Sequence, residues 1–275
     1  MTVDQHTYSR REVLAGLTVF ITNRTALGAP LAAKFQIFDA LLHHDKPDLR
    51  LFGLQPLPAV ANIWRQGASQ QMLDEIGVNI AINRLPIETT AIFLDIEYWL
   101  LLGVSNATRN QTINKFMKVA ELIRKRRPAI KFGFYNALPA HAYWPLATTQ
   151  FPKETEEWHL ANIALQPVAE LVDFIFPSLY TYYADHPGWL RYAAALLEAA
   201  HAYRKPVYPF LWFEYHDSNR ELHNKEIAID AWRDQLRFCR SHADGVVLWG
   251  GYRQRWNPNA NWWQLAQDEL GLKTQ

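Results

Sequence analysis

From about residue 90 onward the chain repeats one pattern: a short, mostly apolar run, then a longer stretch with helical periodicity, then another run. The runs fall at residues 91–97, 130–136, 174–180, 207–213 and 245–249, and each carries β-branched or aromatic residues. Runs that are apolar throughout suit strands buried on both faces. Helical stretches lie between them at 108–127, 154–171, 189–204 and 225–242. Strands alternating with helices imply a parallel sheet joined by right-handed crossovers. Upstream, residues 17–23, 49–54 and 78–82 are candidates for two or three further strands. The predicted fold is therefore α/β, a TIM-type (β/α) barrel of seven or eight parallel strands in a single domain. A chain of 275 residues accommodates it.

In such a barrel the chemistry sits at the C-terminal ends of the strands. Those ends carry Asp95 and Glu97, Tyr135 and Asn136, Tyr180 with Tyr182 and Tyr183, Trp212, Glu214 and His216, and finally Trp249. Carboxylates, phenols and indoles in this concentration are the inventory of a sugar-binding cleft. Asp95 and Glu97 stand one residue apart in FLDIEYW, so on a strand they share a face while Ile96 points the other way. Two neighbouring acids repel, and one tends to keep its proton near neutral pH. A protonated acid beside an ionised one is what glycosidic-bond cleavage needs, and Tyr98 and Trp99 follow as stacking surface. Two residues of strand rise put the carboxylate stems about 6.5–7 Å apart. Side chains lean by more than the gap between the roughly 5–5.5 Å of a direct nucleophile and the about 6.5–9.5 Å that admits a water, so spacing does not choose the mechanism.

Four segments resemble the hyaluronidase family of glycoside hydrolases: DIEYW at 95–99, FGFYNALP at 132–139, FPSLY at 176–180 and VVLWG at 246–250. The family carries a D-x-E-x-W strand, a G-Y/F-Y strand, a Y-P-S-I-Y strand and a last strand ending in L/I-W-G, in this order. The resemblance spans roughly residues 90–255. It implies Glu97 as general acid/base and Asp95 as the acid that orients a substrate acetamido group, whose carbonyl oxygen is the nucleophile. It further implies that Tyr135 and Tyr180 contact that group and the transition state, with Tyr180 catalytic, and that Trp249 closes the subsite. Ile96 and Tyr98 stand where the family has Trp and Glu, and the disulfide cysteines of its animal members are missing. Reaction type transfers on these terms; hyaluronan as substrate does not.

The expected function is cleavage of a glycosidic bond in an N-acetylhexosamine-containing oligo- or polysaccharide, retaining and substrate-assisted. Besides the catalytic trio Glu97, Asp95 and Tyr180, the expected substrate contacts are Tyr135, Trp249, Asn136, Tyr182, Trp212, Glu214 and Trp99. Two alternatives stay open. Glu214, after the run KPVYPFLWFEYH, could be the nucleophile of a classical retaining enzyme opposite Glu97, or the barrel could bind sugar without cleaving it. A barrel acting on phosphorylated metabolites finds no support, since Gly250-Gly251 alone is a thin phosphate loop.

Composition narrows the partners. A net charge of +1 gives no field for nucleic acid, and Arg124-Lys125-Arg126-Arg127 before Pro128 reads as a helix C-terminus rather than a basic patch. Eleven Trp and twelve Tyr exceed what a core requires, so a share of them is expected on a groove that takes an oligo- or polysaccharide. No oligomeric state is indicated. The single cysteine, Cys239, excludes an intramolecular disulfide framework and is expected as a packed thiol. His43-His44-Asp45 before Lys46-Pro47 reads as a solvated turn, and no ligand spacing calls for zinc or another cofactor. Asn106 and Asn110 begin sequon patterns, with Thr108 a candidate helix cap.

Residues 1–28 carry two readings. Ser9-Arg10-Arg11-Glu12-Val13-Leu14 and the following AGLTVFI resemble a twin-arginine export signal ending at Ala26-Leu27-Gly28, while 17–23 also make a fair first barrel strand. Residues 29–275 then form the catalytic barrel. A genuine signal implies a periplasmic or secreted protein, its absence a cytoplasmic one. No internal run reaches the roughly 18 apolar residues of a membrane span.

Overall fold

The segment QIFDAL, which matches none of the expected runs, forms strand β1 (Gln36–Leu41) in the computed structural model, which describes residues 34–273. It pairs in parallel along its whole length with β7 (Gly245–Gly250), the expected final strand. β7 in turn pairs with β6 (Phe210–Trp212). On the other side, β2 (Gln55–Pro56) pairs with β1, and β3 (Ala59–Val60) pairs with β4 (Ala91–Leu94), which pairs with β5 (Lys131–Phe134). Residues 175–181 complete the circuit through single bridges: Phe176 with Tyr135, and Ser178 with Phe210. β2 and β3 are two halves of one stave, because Leu57 N donates to Asp39 O on one side and Phe93 N to Pro58 O on the other. Pro56 and Pro58 have no N–H to give, which keeps that stave's ladder short. The described residues thus trace a parallel barrel of seven staves: 36–41, 55–60, 91–94, 131–134, 175–181, 207–212 and 245–250.

Alternation decides which side chains fill the barrel. Phe38, Phe93, Phe176 and Phe210 point inward, with Phe93 and Phe210 centroids 4.9 Å apart and Phe38 edge-on to Phe176 at 6.4 Å. Gly133 shares this inner face; a Cβ there would lie 2.3 Å from Phe174 O and 2.8 Å from the Phe176 ring, so only glycine lets the ring in. The outer faces take the helices, as where Phe134 of β5 meets Phe116 of the helix Asn106–Arg126 at 4.8 Å.

Eight helices follow among the described residues: α1 (Glu75–Asn83), α2 (Asn106–Arg126), α3 (Tyr143–Ala147), α4 (Pro152–Ala164), α5 (Gln166–Leu171), α6 (His186–Ala202), α7 (Ile229–His242) and α8 (Asn261–Leu270). Two expected strands are helical instead. Residues 78–82 lie inside α1, where the Asp74 side chain accepts from Gly77 N and caps the helix, overriding the short Val78-Ile80-Ile82 alternation. Residues 49–54 contain a 3₁₀ turn, Leu49–Phe52, begun by Asp48 and ended by Gly53 at φ 83°. The expected helix 154–171 is broken at Leu165, since Pro167 cannot donate to Ile163 O. Ser105, not Thr108, caps α2 by accepting from Thr108 N. The basic run closing α2 serves neighbouring backbone: Arg124 reaches Ile130 O, Leu171 O and Asp173, and Arg127 the carbonyls of Leu85, Pro86 and Ile87. The strand expected at 17–23, the export-signal segment and the boundary at 28/29 lie outside the described residues. Among those described, no helix is long and apolar enough to cross a membrane.

Candidate active site

Asp95 is held just past the end of β4, where its N–H donates to Val60 O at 3.3 Å. Phe93 faces the barrel interior, so Asp95, two residues on, follows the same face, while Ile96 is buried on the other. The two acids are not equivalent members of a strand pair, as the spacing alone suggested. β4 ends at Leu94 and the chain turns at Glu97, leaving Glu97 exposed and Asp95 partly buried. Burial, and secondarily the charge of Glu97, push Asp95 from the usual 3.8 up to about 6. Asp95 Oδ1 is buried without a hydrogen-bond partner.

Around the acids stands a cluster of phenols delivered by two neighbouring staves. Tyr135 follows β5, its N–H donating to Leu94 O, and its hydroxyl donates to Ser178 Oγ at 3.1 Å. Ser178 Oγ also lies 3.1 Å from the Tyr182 hydroxyl. The Tyr135 and Tyr180 rings sit 5.8 Å apart. Desolvation raises all three phenols above their ordinary range, and the charges of Asp95 and Glu97 act in the same direction on Tyr180. At neutral pH these hydroxyls are protonated donors. Asn136, beside Tyr135, adopts φ 56°, and its Oδ1 is buried with no partner.

The aromatic wall divides into open and supporting members. Trp249, half-buried at the end of β7, leans on Tyr180 at 5.5 Å and on Tyr252 at 5.6 Å. Trp212, expected to touch substrate, is 1 % exposed and packs edge-on to Trp249 at 4.7 Å. Gly250, at φ 122°, makes room for it, because a Cβ there would lie 2.6 Å from the indole. Glu214, also expected at the substrate, is buried; its carboxylate accepts from Trp212 Nε1 at 3.0 Å and from Gln254 Nε2. Burial raises the Glu214 pKa and the two hydrogen bonds oppose the rise. Trp99 requires the clearest correction. It is 3 % exposed, donates to Gln70 O at 2.9 Å and packs on Phe116 at 5.1 Å, so it has no face for a sugar. Its neighbour Tyr98 is 46 % exposed.

Sequence reasoning passed over Ser178, His141, Tyr252 and Gln254. His141 contacts the Tyr192 hydroxyl at 3.1 Å and packs 5.0 Å from Tyr182; burial, then His216, lowers its pKa to about 4, so it is neutral. His216 stacks on Tyr180 at 5.8 Å. Only Ser178 had a legible signal, since it lies in FPSLY two residues before Tyr180 and so on the same face. His43 is no solvated turn: it is 7 % exposed, beside the stacked rings of Phe213 and Trp262, and burial followed by Lys46 lowers its pKa to about 4. Among the described residues no three His, Cys, Asp or Glu side chains converge as metal ligands would. A cavity of about 1080 Å³ lies between α4 and α6, lined in part by Trp158, Ile163 and Tyr203, away from the acids.

No protein-family model and no curated protein sequence matches the chain. Solved structures do. Bee venom hyaluronidase in complex with a hyaluronic acid tetramer superposes with a TM-score of 0.58 at 13% identity, covering 86% of this chain and 95% of that one. The endo-β-1,4-mannanase of Thermotoga petrophila gives 0.52 at 14%, covering 80% and 58%. The chitinase of Chromobacterium violaceum gives 0.50 at 10%, covering 88% and 93%. At these identities the likeness is one of fold: the chain is an α/β TIM-type barrel, as these glycoside hydrolases are.

Proposed function

We propose that the chain is a glycoside hydrolase that cleaves beside an N-acetylhexosamine, with the substrate's acetamido group as internal nucleophile. One observation carries this reading: the buried, unpartnered Oδ1 of Asp95, two residues before the exposed carboxyl of Glu97. A buried acceptor without a donor is unfavourable, and a substrate amide N–H would satisfy it. In the proposed reaction Glu97 gives its proton to the leaving glycosidic oxygen as that bond breaks. The acetamido oxygen bonds to the anomeric carbon, and the Asp95 carboxylate supports the positive charge reaching the amide nitrogen. Glu97, now ionised, takes a proton from the water that opens the cyclic intermediate, and its acid form is restored. The neutral Tyr180 hydroxyl can donate to the carbonyl oxygen during this sequence.

The classical retaining alternative requires Glu214 as nucleophile. Its burial and its engagement by Trp212 and Gln254 count against that role. The twin-arginine-like segment belongs to the same proposal, because it would place the activity in the periplasm or outside the cell, where polysaccharide is met.

The deciding experiment measures new reducing ends on chitin-type, hyaluronan-type and acetamido-free polysaccharides, with wild type beside Glu97→Gln. Turnover by wild type on acetamido substrates, reduced about 10²–10⁴-fold in the variant while binding persists, is expected. Undiminished hydrolysis by Glu97→Gln sinks the assignment. Binding without turnover by wild type selects the non-catalytic sugar-binding barrel.

A further inference from the structure

Beyond the acids, the phenol cluster continues outward to the rim. Tyr182, in contact with Ser178, has the Tyr143 ring 5.7 Å away, and Tyr143 has the Tyr183 ring at 5.1 Å. There the series ends on an open pair. Trp144 and Tyr183 lie 4.4 Å apart with planes 37° from parallel, and they are 42 % and 38 % exposed. They come from different connections: Trp144 from α3, after β5, and Tyr183 from the turn after stave 175–181. Both connections leave the C-terminal ends of staves, the end that holds Asp95 and Glu97.

Two large rings left open to water in mutual contact are unfavourable unless something covers them. Nothing in the barrel core needs them, since Tyr143 beneath already fills the space against Tyr192 at 4.9 Å. A second observation points to a ligand. Tyr143 is 6 % exposed, yet its hydroxyl has no hydrogen-bond partner. An apolar platform next to an unsatisfied hydroxyl matches the two faces of a pyranose ring, whose C–H surface stacks on aromatics while its hydroxyls need donors and acceptors.

We propose that Trp144 and Tyr183 form an outer subsite that seats one sugar ring of the substrate chain, with the Tyr143 hydroxyl bonding to it. The proposal rests on the glycosidase reading and extends it. The ring-to-ring steps from Tyr182 put this platform beyond the sugar at the acids, so the protein takes an oligosaccharide or an internal stretch of polysaccharide rather than a terminal residue alone.

The test is calorimetric titration of the Glu97→Gln protein with chito-oligosaccharides from the disaccharide to the hexasaccharide, and with hyaluronan oligosaccharides in a parallel series. Affinity should rise with length and gain a distinct increment at the unit that reaches the platform. Trp144→Ala and Tyr183→Ala should each remove that increment, about fivefold to tenfold in Kd, and the double variant should lose little more. Trp144→Phe should keep most of it. If the chains bind but both alanine variants retain the full length dependence, the outer subsite is overturned, while the glycosidase reading is untouched and answers to the turnover assay. If no sugar of any length binds a protein whose circular dichroism is native, both fall together. An alanine variant that melts earlier is read against Tyr183→Phe, which preserves packing and should retain the increment.

Discussion

Trp212 Nε1 donates to Glu214 Oε2 at 3.0 Å, and the other oxygen of that carboxylate accepts from Gln254, forty residues along the chain. Both carboxylate oxygens are thus engaged, which favours our reading of Glu214 as a support for Trp212 over the open nucleophile. Glu214→Gln keeps an oxygen for the indole and should hold turnover within about tenfold of wild type, against the about 10⁶-fold loss typical of a removed nucleophile. Glu214→Ala leaves a buried indole N–H unpaired, at about 1–3 kcal/mol, and should lower Tm by roughly 3–8 °C. Steady-state kinetics and thermal melts of both variants check this. A collapse of kcat in Glu214→Gln with a native melt would return the nucleophile to Glu214.

The raised pKa of Asp95 makes a signed prediction about stability. Between pH 3.8 and about 6 the folded protein holds a proton on Asp95 that the unfolded chain has released. The folded state binds more protons there, so this group's contribution to stability falls as pH rises through that window and stays low above it. Asp95→Asn removes the penalty of the buried carboxylate. The variant should be more stable than wild type by about 2–3 kcal/mol at pH 7, and the gap should close by pH 4. Chemical denaturation of both proteins at the two pH values reads it. A gap that is constant with pH contradicts the assignment, and taking the difference cancels the opposite trend of His43 and His141.

Ser178 is fully buried and is the shared partner of two phenols. Ser178→Ala should strand the Tyr135 and Tyr182 hydroxyls and destabilise the fold by about 1–3 kcal/mol. If those phenols address the reacting sugar, kcat should fall more than KM rises, which initial-rate kinetics separate. A loss confined to Tm would mark the serine as structural only.

Of the two rings that the sequence offered as stacking surface, Tyr98 should serve as one and Trp99 should not. Trp99→Phe loses one buried hydrogen bond, about 1 kcal/mol, with KM unchanged. Tyr98→Ala should leave Tm near wild type and raise KM severalfold, because an exposed ring on the loop of the acids is removed. Paired melts and KM values on one substrate decide, and the reverse pattern refutes the assignment.

The barrel from residue 91 onward was legible because its signals are local. Apolar runs such as AIFL and GVVLWG need burial on both faces whatever surrounds them, and the helices between them carry their own periodicity. Strand parity likewise put Ile96 on the face opposite Asp95, as found, whereas the same parity that sets Ser178 on the face of Tyr180 was passed over. The first staves were not legible. QIFDAL carries a charge in its middle, Asp39, which is tolerated because Lys46 Nζ lies 2.6 Å away, and the stave at 55–60 is built around two prolines. Nor could the sequence sort the aromatics. Trp99, Trp212, Trp249 and Trp144 all stand near strand ends or in the connections beyond them, yet two are core, Trp249 is half-buried and Trp144 is open, because burial is decided by neighbours far along the chain: Gln70 for Trp99, Gly250 for Trp212. Sequence by itself determined a parallel barrel with two acids at the mouth. Tertiary structure decided which acid is desolvated and which rings face water, because solvent exclusion is a property of the assembled surface and not of any segment.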